Sequence, residues 1–535
     1  MFKPWSRVRA AYVFVLLAAS VCPGVAQQAR VTTKDGNVFV GAIEPVEKGV
    51  YGIQTSYGLI RIPASSVRQI EMLDASQPNA APPSPQPTPL PAAGQASGAA
   101  ASALTLGKLR LAGSNTIGAK LILKLLEGYA AGIGDNQIRW VAGAEPEQQS
   151  LIARGSGRDA FLADVSAHGS STAFTALASG AADIGMASRA IKPEEIQQLA
   201  ALGLGDFSSA QQEHVLALDG VAVLINAANP LSKLSLTQIA DIFSGAKKDW
   251  SDFGGKPGPI AIYSRDDKSG TFDTFKTLVL QDRKLDERAK RFESNEDLSD
   301  AVAANANGIG FASLAYIRNA KPLAIATDCG LEFSPSEFLV KTEDYPLSRR
   351  LFLYSRSDDS HAPFIEYALS AAAQKTIADA GFINLAIGPS EGSYIAARFA
   401  HADREAETRA EKASTKKFDS LAQGGVRLSV AFRFKSGTAT LDSRAVRDID
   451  RLVDVLKQPA YRDRQIALAG FSDSVGQATR NMALSRDRAE AVASALRKRG
   501  ATSPVAVGFG AAAPVACDTT PQGLEKNRRV EVWIR

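Results

Sequence analysis

Hydrophobic and polar positions along the chain change period several times, and each change marks a different kind of segment. Residues 10–21 form an uncharged apolar run. From Arg30 to Leu73, short apolar runs (Val38 and Val40, Val50 and Tyr51, Leu59, Ile60 and Ile62) alternate with polar residues and are broken by Gly36, Gly41, Gly49 and Gly58. That is the pattern of short strands joined by tight turns, and it predicts a small all-β module over residues 29–73. Residues 74–104 lose almost every large apolar side chain and turn to Pro, Ala, Ser and Gln, a composition that cannot build a core and predicts an extended linker. From Thr105 to Phe399 strand-like runs alternate with helical spacing, as an α/β domain requires. A charged, Ala-rich stretch follows and predicts a helical linker over 400–424, and residues 425–535 carry two amphipathic helices between strands.

The chain is therefore expected to be multidomain, which suits its 535 residues, since single hydrophobic cores stop growing at about 250–300 residues. Lys3, Arg7 and Arg9 precede the first apolar run and Gly24-Val25-Ala26 follows it. This predicts a signal peptide over residues 1–26 and export to the periplasm. The run is about half of the ~20 residues needed to span a bilayer, and no later segment is longer and as apolar. Cys22 lies in the signal without a lipobox around it. Cys329 and Cys517 remain for an oxidising compartment. They fall in different predicted domains, so a bridge requires those domains to dock, and two unpaired or buried thiols are the expectation.

Charge and histidines narrow the function. The 61 basic and 56 acidic residues are scattered rather than gathered into a basic run with aromatics, so nucleic acid is not an expected partner. The four histidines (His168, His214, His361, His401) are dispersed, no Gly-x-Ser-x-Gly elbow occurs, and no Cys/His group has metal spacing. No enzyme, metal or cofactor is predicted. The β module resembles SH3-like or Sm-like barrels in spacing alone, which names no function.

One junction occurs three times in the middle domain: a strand ends, a Gly/Ser/Thr group follows, and an amphipathic helix starts. Leu109-Arg110-Leu111 leads through Ala112 to Thr116, Val165 through Gly169-Ser170-Ser171-Thr172, and Ile260-Ala261-Ile262 through Arg265 to Thr271. Each helix start leaves free N–H groups and partial positive charge, hydroxyls add donors, and glycine lets a ligand come close. Three together suit a tetrahedral oxyanion, and Arg265 adds a guanidinium fork.

In this order of motifs the middle domain resembles the PstS family of phosphate-binding receptors, type II periplasmic binding proteins of ABC transporters. The resemblance rests on Ala181 to Arg189, Asp219 to Val223, Ile242-Phe243-Ser244-Gly245 with Trp250, Arg265 to Thr271, and Asn307 to Phe311. It implies a two-lobed fold whose lobes close over an anion. Asn115, Thr116, Ser170, Arg265, Ser269, Gly270 and Thr271 would line the pocket, with Ser188 and Arg189 at its rim and the residues near Asp219 and Ile325 in the hinge strands. The chain departs from the family at Arg189, where well-known members carry an Asp that accepts the proton of hydrogen phosphate. Asp266 or Asp267 is the alternative acceptor, unless these are ion-pair partners or solvated loop charges. Residues 145–159 resemble an insertion.

In the last domain, Arg488 falls on the apolar stripe of Leu484, Val492 and Leu496. A charge there needs a partner, and Asp473 is the nearest candidate in sequence. Gly470-Phe471-Ser472-Asp473, Asn481, Leu484-Ser485, Arg488-Ala489, Gly508-Phe509-Gly510, Pro514 and Asn527 to Glu531 resemble the OmpA-like C-terminal domain, of βαβαββ order. The resemblance implies that Asp473 holds the ammonium and Arg488 the carboxylate of diaminopimelate in the peptidoglycan stem peptide, with Asn481, Ser485 and Arg528 around them. The expected partners are thus inorganic phosphate or a similar oxyanion, and peptidoglycan. An ABC permease or an outer-membrane component is a further candidate. The alternative is an envelope protein, anchored in the same way, whose receptor domain is a spacer or a sensor.

Overall fold

The computed structural model describes residues 28–33, 38–47, 50–55, 58–72, 108–145, 147–155, 161–356, 361–390, 409–434, 441–501 and 504–535. The expected signal segment and the proline-rich linker fall outside these.

The N-terminal unit is a five-stranded antiparallel sheet. Gln28–Thr33 pairs with both Val38–Glu47 and Val67–Met72, while Val50–Thr55 and Gly58–Pro63 extend the sheet on the Val38–Glu47 side. A 3-10 turn at Ala64–Ser66 leads into the last strand. The alternating pattern buries Val31 and Ile53 on one face.

In the second unit, the middle domain is built on a long mixed sheet that divides into two lobes. Leu109–Gly113 lies between Phe161–Ser166 and Ile184–Ala187, all parallel, in the first lobe. Its edge is extended by the antiparallel strands Gln148–Arg154 and Gln137–Ala142, the first of which falls within the expected insertion. In the second lobe Ala261–Arg265 pairs in parallel with Gly308–Ser313 and Lys290–Phe292. Two long strands join the lobes. Glu213–Ile225 pairs antiparallel with Ser348–Ser355 along its first part and with Gly308–Ser313 along its second, and it is buried almost throughout because both lobes cover it. Asp219 therefore sits at the crossover as expected. Ile325 does not: it lies in a separate three-stranded sheet with Lys233–Ser235 and Glu332–Phe333, and the second hinge strand is Ser348–Ser355.

Each lobe has its own core. Leu121, Leu125, Tyr129, Phe161 and Leu353 are buried in the first, and Phe243, Trp250, Phe275 and Phe311 in the second, where the rings of Phe275 and Phe311 stack at 4.0 Å. Aromatic groups of this size supply much of a core's apolar burial.

The C-terminal domain is a four-stranded sheet ordered Val426–Arg433, Arg529–Ile534, Ile466–Gly470, Val505–Gly508. Asp442 caps the helix Ser443–Leu456 by accepting from Ala445 N at 2.8 Å. That helix and Ala478–Lys498 bury Ile449, Leu452, Val492 and Leu496 against the sheet. The linker helix Arg409–Gln423 adds a second small core, with Phe418 against Phe471, Phe509 and Trp533.

The middle and C-terminal domains dock, and this overturns the expectation of two separate thiols. Cys329 and Cys517 form a disulfide across the interface. Around it lies a set of buried charges. Arg427 pairs with Asp344 at 2.8 Å, both fully buried, Arg433 and Arg444 each reach Glu343 at 3.0 Å, and Arg350 reaches Asp442 at 2.8 Å. Lys526 Nζ donates to Tyr345 O at 2.6 Å. Ser443 Oγ donates to Glu213 Oε1 at 2.6 Å, so the docked domain touches both hinge strands as well as the second lobe. Among the described residues no helix is long and apolar enough to cross a membrane.

Candidate functional site

All three helix starts identified from the sequence meet between the lobes. Asn115–Gly118 and Ser170–Ser179 begin in the first lobe and Gly270–Phe275 in the second. Gly169, with φ at +124°, precedes the second helix, and a Cβ there would lie 2.3 Å from Lys268 O of the opposite lobe. A Cβ on Gly270 would lie 2.2 Å from Ser170 Oγ and 2.4 Å from Ser188 Oγ. These two glycines are what allow the helix starts to approach so closely.

The hydroxyls converge on the same point. Ser188 N donates to Ser170 Oγ at 2.9 Å and the two side-chain oxygens are 3.2 Å apart. Thr116 Oγ1 lies 3.2 Å from Thr271 Oγ1 across the lobes. Ser269 caps its helix, accepting from Thr271 N at 3.2 Å. Asn115, Thr116, Ser170, Ser188, Arg265, Ser269 and Thr271 are all buried here.

Arg265 is 1% exposed. Its Nε donates to Phe292 O at 3.2 Å and its Nη2 to Glu293 O, while Nη1 is buried without a hydrogen-bond partner among the described residues. Burial holds its pKa down, to about 10, as expected for a cation taken out of water. Beside it, Arg349 pairs with Asp219 at 2.6 Å and donates from Nη2 to Thr116 Oγ1 at 3.4 Å, its Nη1 also unpartnered. Ser313 Oγ donates to Asp219 Oδ1 at 2.8 Å, and Asn295 Nδ2 reaches Asn115 Oδ1 at 3.4 Å.

Arg189 is placed differently from the rest. Rather than forming the pocket rim, it turns away to a bidentate contact with Glu195 and to Asp273 Oδ2 at 2.8 Å. Asp273 belongs to the opposite lobe, so the arginine bridges the two. The alternative acceptors are also engaged elsewhere: Asp266 Oδ1 accepts from Lys268 N and Ser269 N, and Asp267 pairs with Arg291 at the surface. Glu147, His168 and Glu293 bring one ligand atom each within 4.8 Å of one another, a group that could hold a metal ion.

In the C-terminal domain, Asp473 and Arg488 are not an ion pair. Asp473 Oδ2 is 2.9 Å from Arg528 Nη1, and Asn481 Nδ2 donates to Asp473 O at 3.1 Å. Arg488 is fully buried, with a single long bond from Nη1 to Phe471 O at 3.5 Å, and its Nε and Nη2 have no partner among the described residues. Burial, then the nearby Arg528, lowers its pKa. A cavity of about 330 Å³ lies alongside, lined by Ser414, Ser474, Asn481, Phe509 and Gly510.

Residues 99–372 match the model of the PBP superfamily domain, and residues 433–528 match the OmpA family. The chain belongs to the PBP superfamily. This PBP chain is 27% identical over 297 residues to the phosphate-binding protein PstS of Staphylococcus saprophyticus, covering 52% of the chain and 90% of that protein. It is 30% identical over 227 residues to PstS of Staphylococcus haemolyticus, covering 40% and 69%. Among solved structures it is similar to a Clostridium perfringens phosphate ABC transporter substrate-binding protein with bound phosphate (27% identity, TM-score 0.40, 52% of this chain and 99% of that one). The OmpA family domain is similar to the peptidoglycan-associated lipoprotein of Burkholderia pseudomallei (26% identity, TM-score 0.19, 20% and 89%).

Sequence reasoning did not single out Asn295, Ser313 or Arg349 for this PBP pocket. Each is a lone residue on an element of its own, without a motif around it. The Asn295 side chain follows a serine N-cap at Ser294, which is the one signal that placed a helix start there.

Proposed function

We propose that the chain is a cell-envelope binding protein that captures phosphate or a related oxyanion in the periplasm and is tethered non-covalently to peptidoglycan. It performs no chemistry on the ligand. In this reading residues 1–26 export it, 29–73 and 74–104 are a β module and spacer, 105–399 the receptor, 400–424 a helical linker, and 425–535 the wall-binding domain at or near the outer membrane.

The observation that carries the reading concerns buried arginines. Eight are buried among the described residues. Six have a carboxylate within ion-pair distance. The two that have none are Arg265 and Arg488, the arginines assigned to the two ligands. An uncompensated buried guanidinium costs stability and is retained where a ligand supplies the counter-charge. Hydroxyls and helix starts around Arg265 fit a tetrahedral anion. Asp473 and Arg488 offer one charge of each sign, as a zwitterion needs.

The docked domain touches both hinge strands, and this favours a second reading in which the protein reports anion binding to an envelope partner. Calorimetry of the full chain, stripped of ligand by denaturation and refolding, tests the receptor role. Phosphate binding that is lost in Arg265→Ala supports it, and silence from folded wild-type protein rejects it. Sedimentation with diaminopimelate-type peptidoglycan tests the tether, with Asp473→Ala and Arg488→Ala as controls. Equal sedimentation of all three proteins rejects it.

A further inference from the structure

The pocket described above presents an oxyanion mainly with donors: hydroxyls, helix N–H groups and Arg265. Donors alone accept any tetrahedral anion. Hydrogen phosphate differs from sulfate in carrying one proton that it must donate, so a pocket tells them apart only if it also holds an acceptor.

Most of the nearby carboxylates are already committed. Asp219 serves Arg349 and Ser313, Asp273 and Glu195 serve Arg189, Asp266 accepts from two backbone N–H groups, and Asp267 pairs with Arg291. Glu293 is different. Its Oε2 accepts from Asn115 Nδ2 at 3.4 Å across the lobes, while Oε1 is buried and has no hydrogen-bond partner among the described residues. Its backbone oxygen accepts from Arg265 Nη2, so the same residue that offers an open acceptor also fixes the guanidinium whose Nη1 is an open donor.

We infer that Glu293 is the selectivity residue of the pocket: its carboxylate accepts a hydrogen bond from the protonated oxygen of a hydrogen oxyanion whose other oxygens face Arg265, and repels an oxyanion that has no proton to offer. This rests on reading the cleft as an anion receptor. It also accounts for how an arginine can stand at position 189, since Arg189 points away and the acceptor comes from the other lobe. Glu147, His168, Arg265 and Asp266 are the ionisable groups that act on Glu293.

The test is calorimetric titration of the full chain, stripped of ligand, with phosphate, sulfate and monofluorophosphate at one mildly alkaline pH. Wild type should prefer phosphate to both other dianions, which lack the proton. Glu293→Gln keeps the contact to Asn115 but removes the charge. It should narrow the phosphate-to-sulfate ratio by about 10–100-fold, the worth of one charged hydrogen bond. Glu293→Asp should retain part of the preference. An unchanged ratio in Glu293→Gln with a wild-type unfolding midpoint overturns the assignment. So does monofluorophosphate binding as tightly as phosphate to wild type, a result that needs no variant to fold. Wild type that binds none of the three anions overturns the receptor reading itself, a different outcome from binding without selectivity.

Discussion

The interface between the two large domains and the cleft within the receptor both bury arginines, but they treat them in opposite ways. At the interface Arg427, Arg433 and Arg444 each face Asp344 or Glu343, two consecutive acids on the turn that leads into the second hinge strand. In the cleft Arg265 has only backbone carbonyls and one unpartnered nitrogen. The first arrangement has its counter-charges within the chain and joins its parts. The second is incomplete, and an incomplete buried charge marks a place for something from outside.

The largest effect of a single substitution is expected at the interface. Asp344→Ala removes the carboxylate 2.8 Å from the buried Arg427, and the loss of one partner of a buried pair should cost about 3–5 kcal/mol of stability. Urea unfolding of the oxidised protein measures it, and a loss below about 1 kcal/mol would show that the network is not what joins the domains.

Arg265→Met gives the contrasting result. Because the native arginine lacks a carboxylate, its removal should leave ligand-free stability within about 1 kcal/mol of wild type, or raise it, while phosphate affinity falls by about 100-fold or more. Arg488→Met should behave in the same way toward peptidoglycan. A large drop in ligand-free stability for either would place that arginine with the joining group instead.

A pH-dependent effect concerns Lys526. Burial, with Arg433 nearby, lowers its pKa to about 7, whereas an unfolded lysine titrates near 10.4. Between those values the unfolded chain holds a proton that the native chain has shed, so this residue makes stability rise with pH from about 7 to about 10.4. Lys526→Met should flatten that slope in thermal unfolding measured across the window, and an unchanged slope would show that the ammonium stays charged in place.

Much of this was legible beforehand, and for a local reason. A strand end, a Gly/Ser/Thr group and a helix start are contiguous, so Ser170, Ser269 and Thr271 could be read from their neighbours. Arg265 was read because it stands within such a junction. The direction of Arg189 was not legible, because Asp273 lies 84 residues away. Nor was the pairing of Cys329 with Cys517, 188 residues apart, since spacing says nothing about whether two domains dock. Glu293 escaped notice because its side chain meets Asn115, 178 residues away in the opposite lobe, and its backbone oxygen meets Arg265.

The disulfide has a consequence for the chain as a covalent object. The PBP domain and the OmpA family domain are connected twice, once by the backbone and once by sulfur, so a single peptide-bond cleavage anywhere between residues 330 and 516 yields two chains but still one molecule. Such a nicked protein would run as one species without reductant and as two with it, and its two domains would stay joined after the cut.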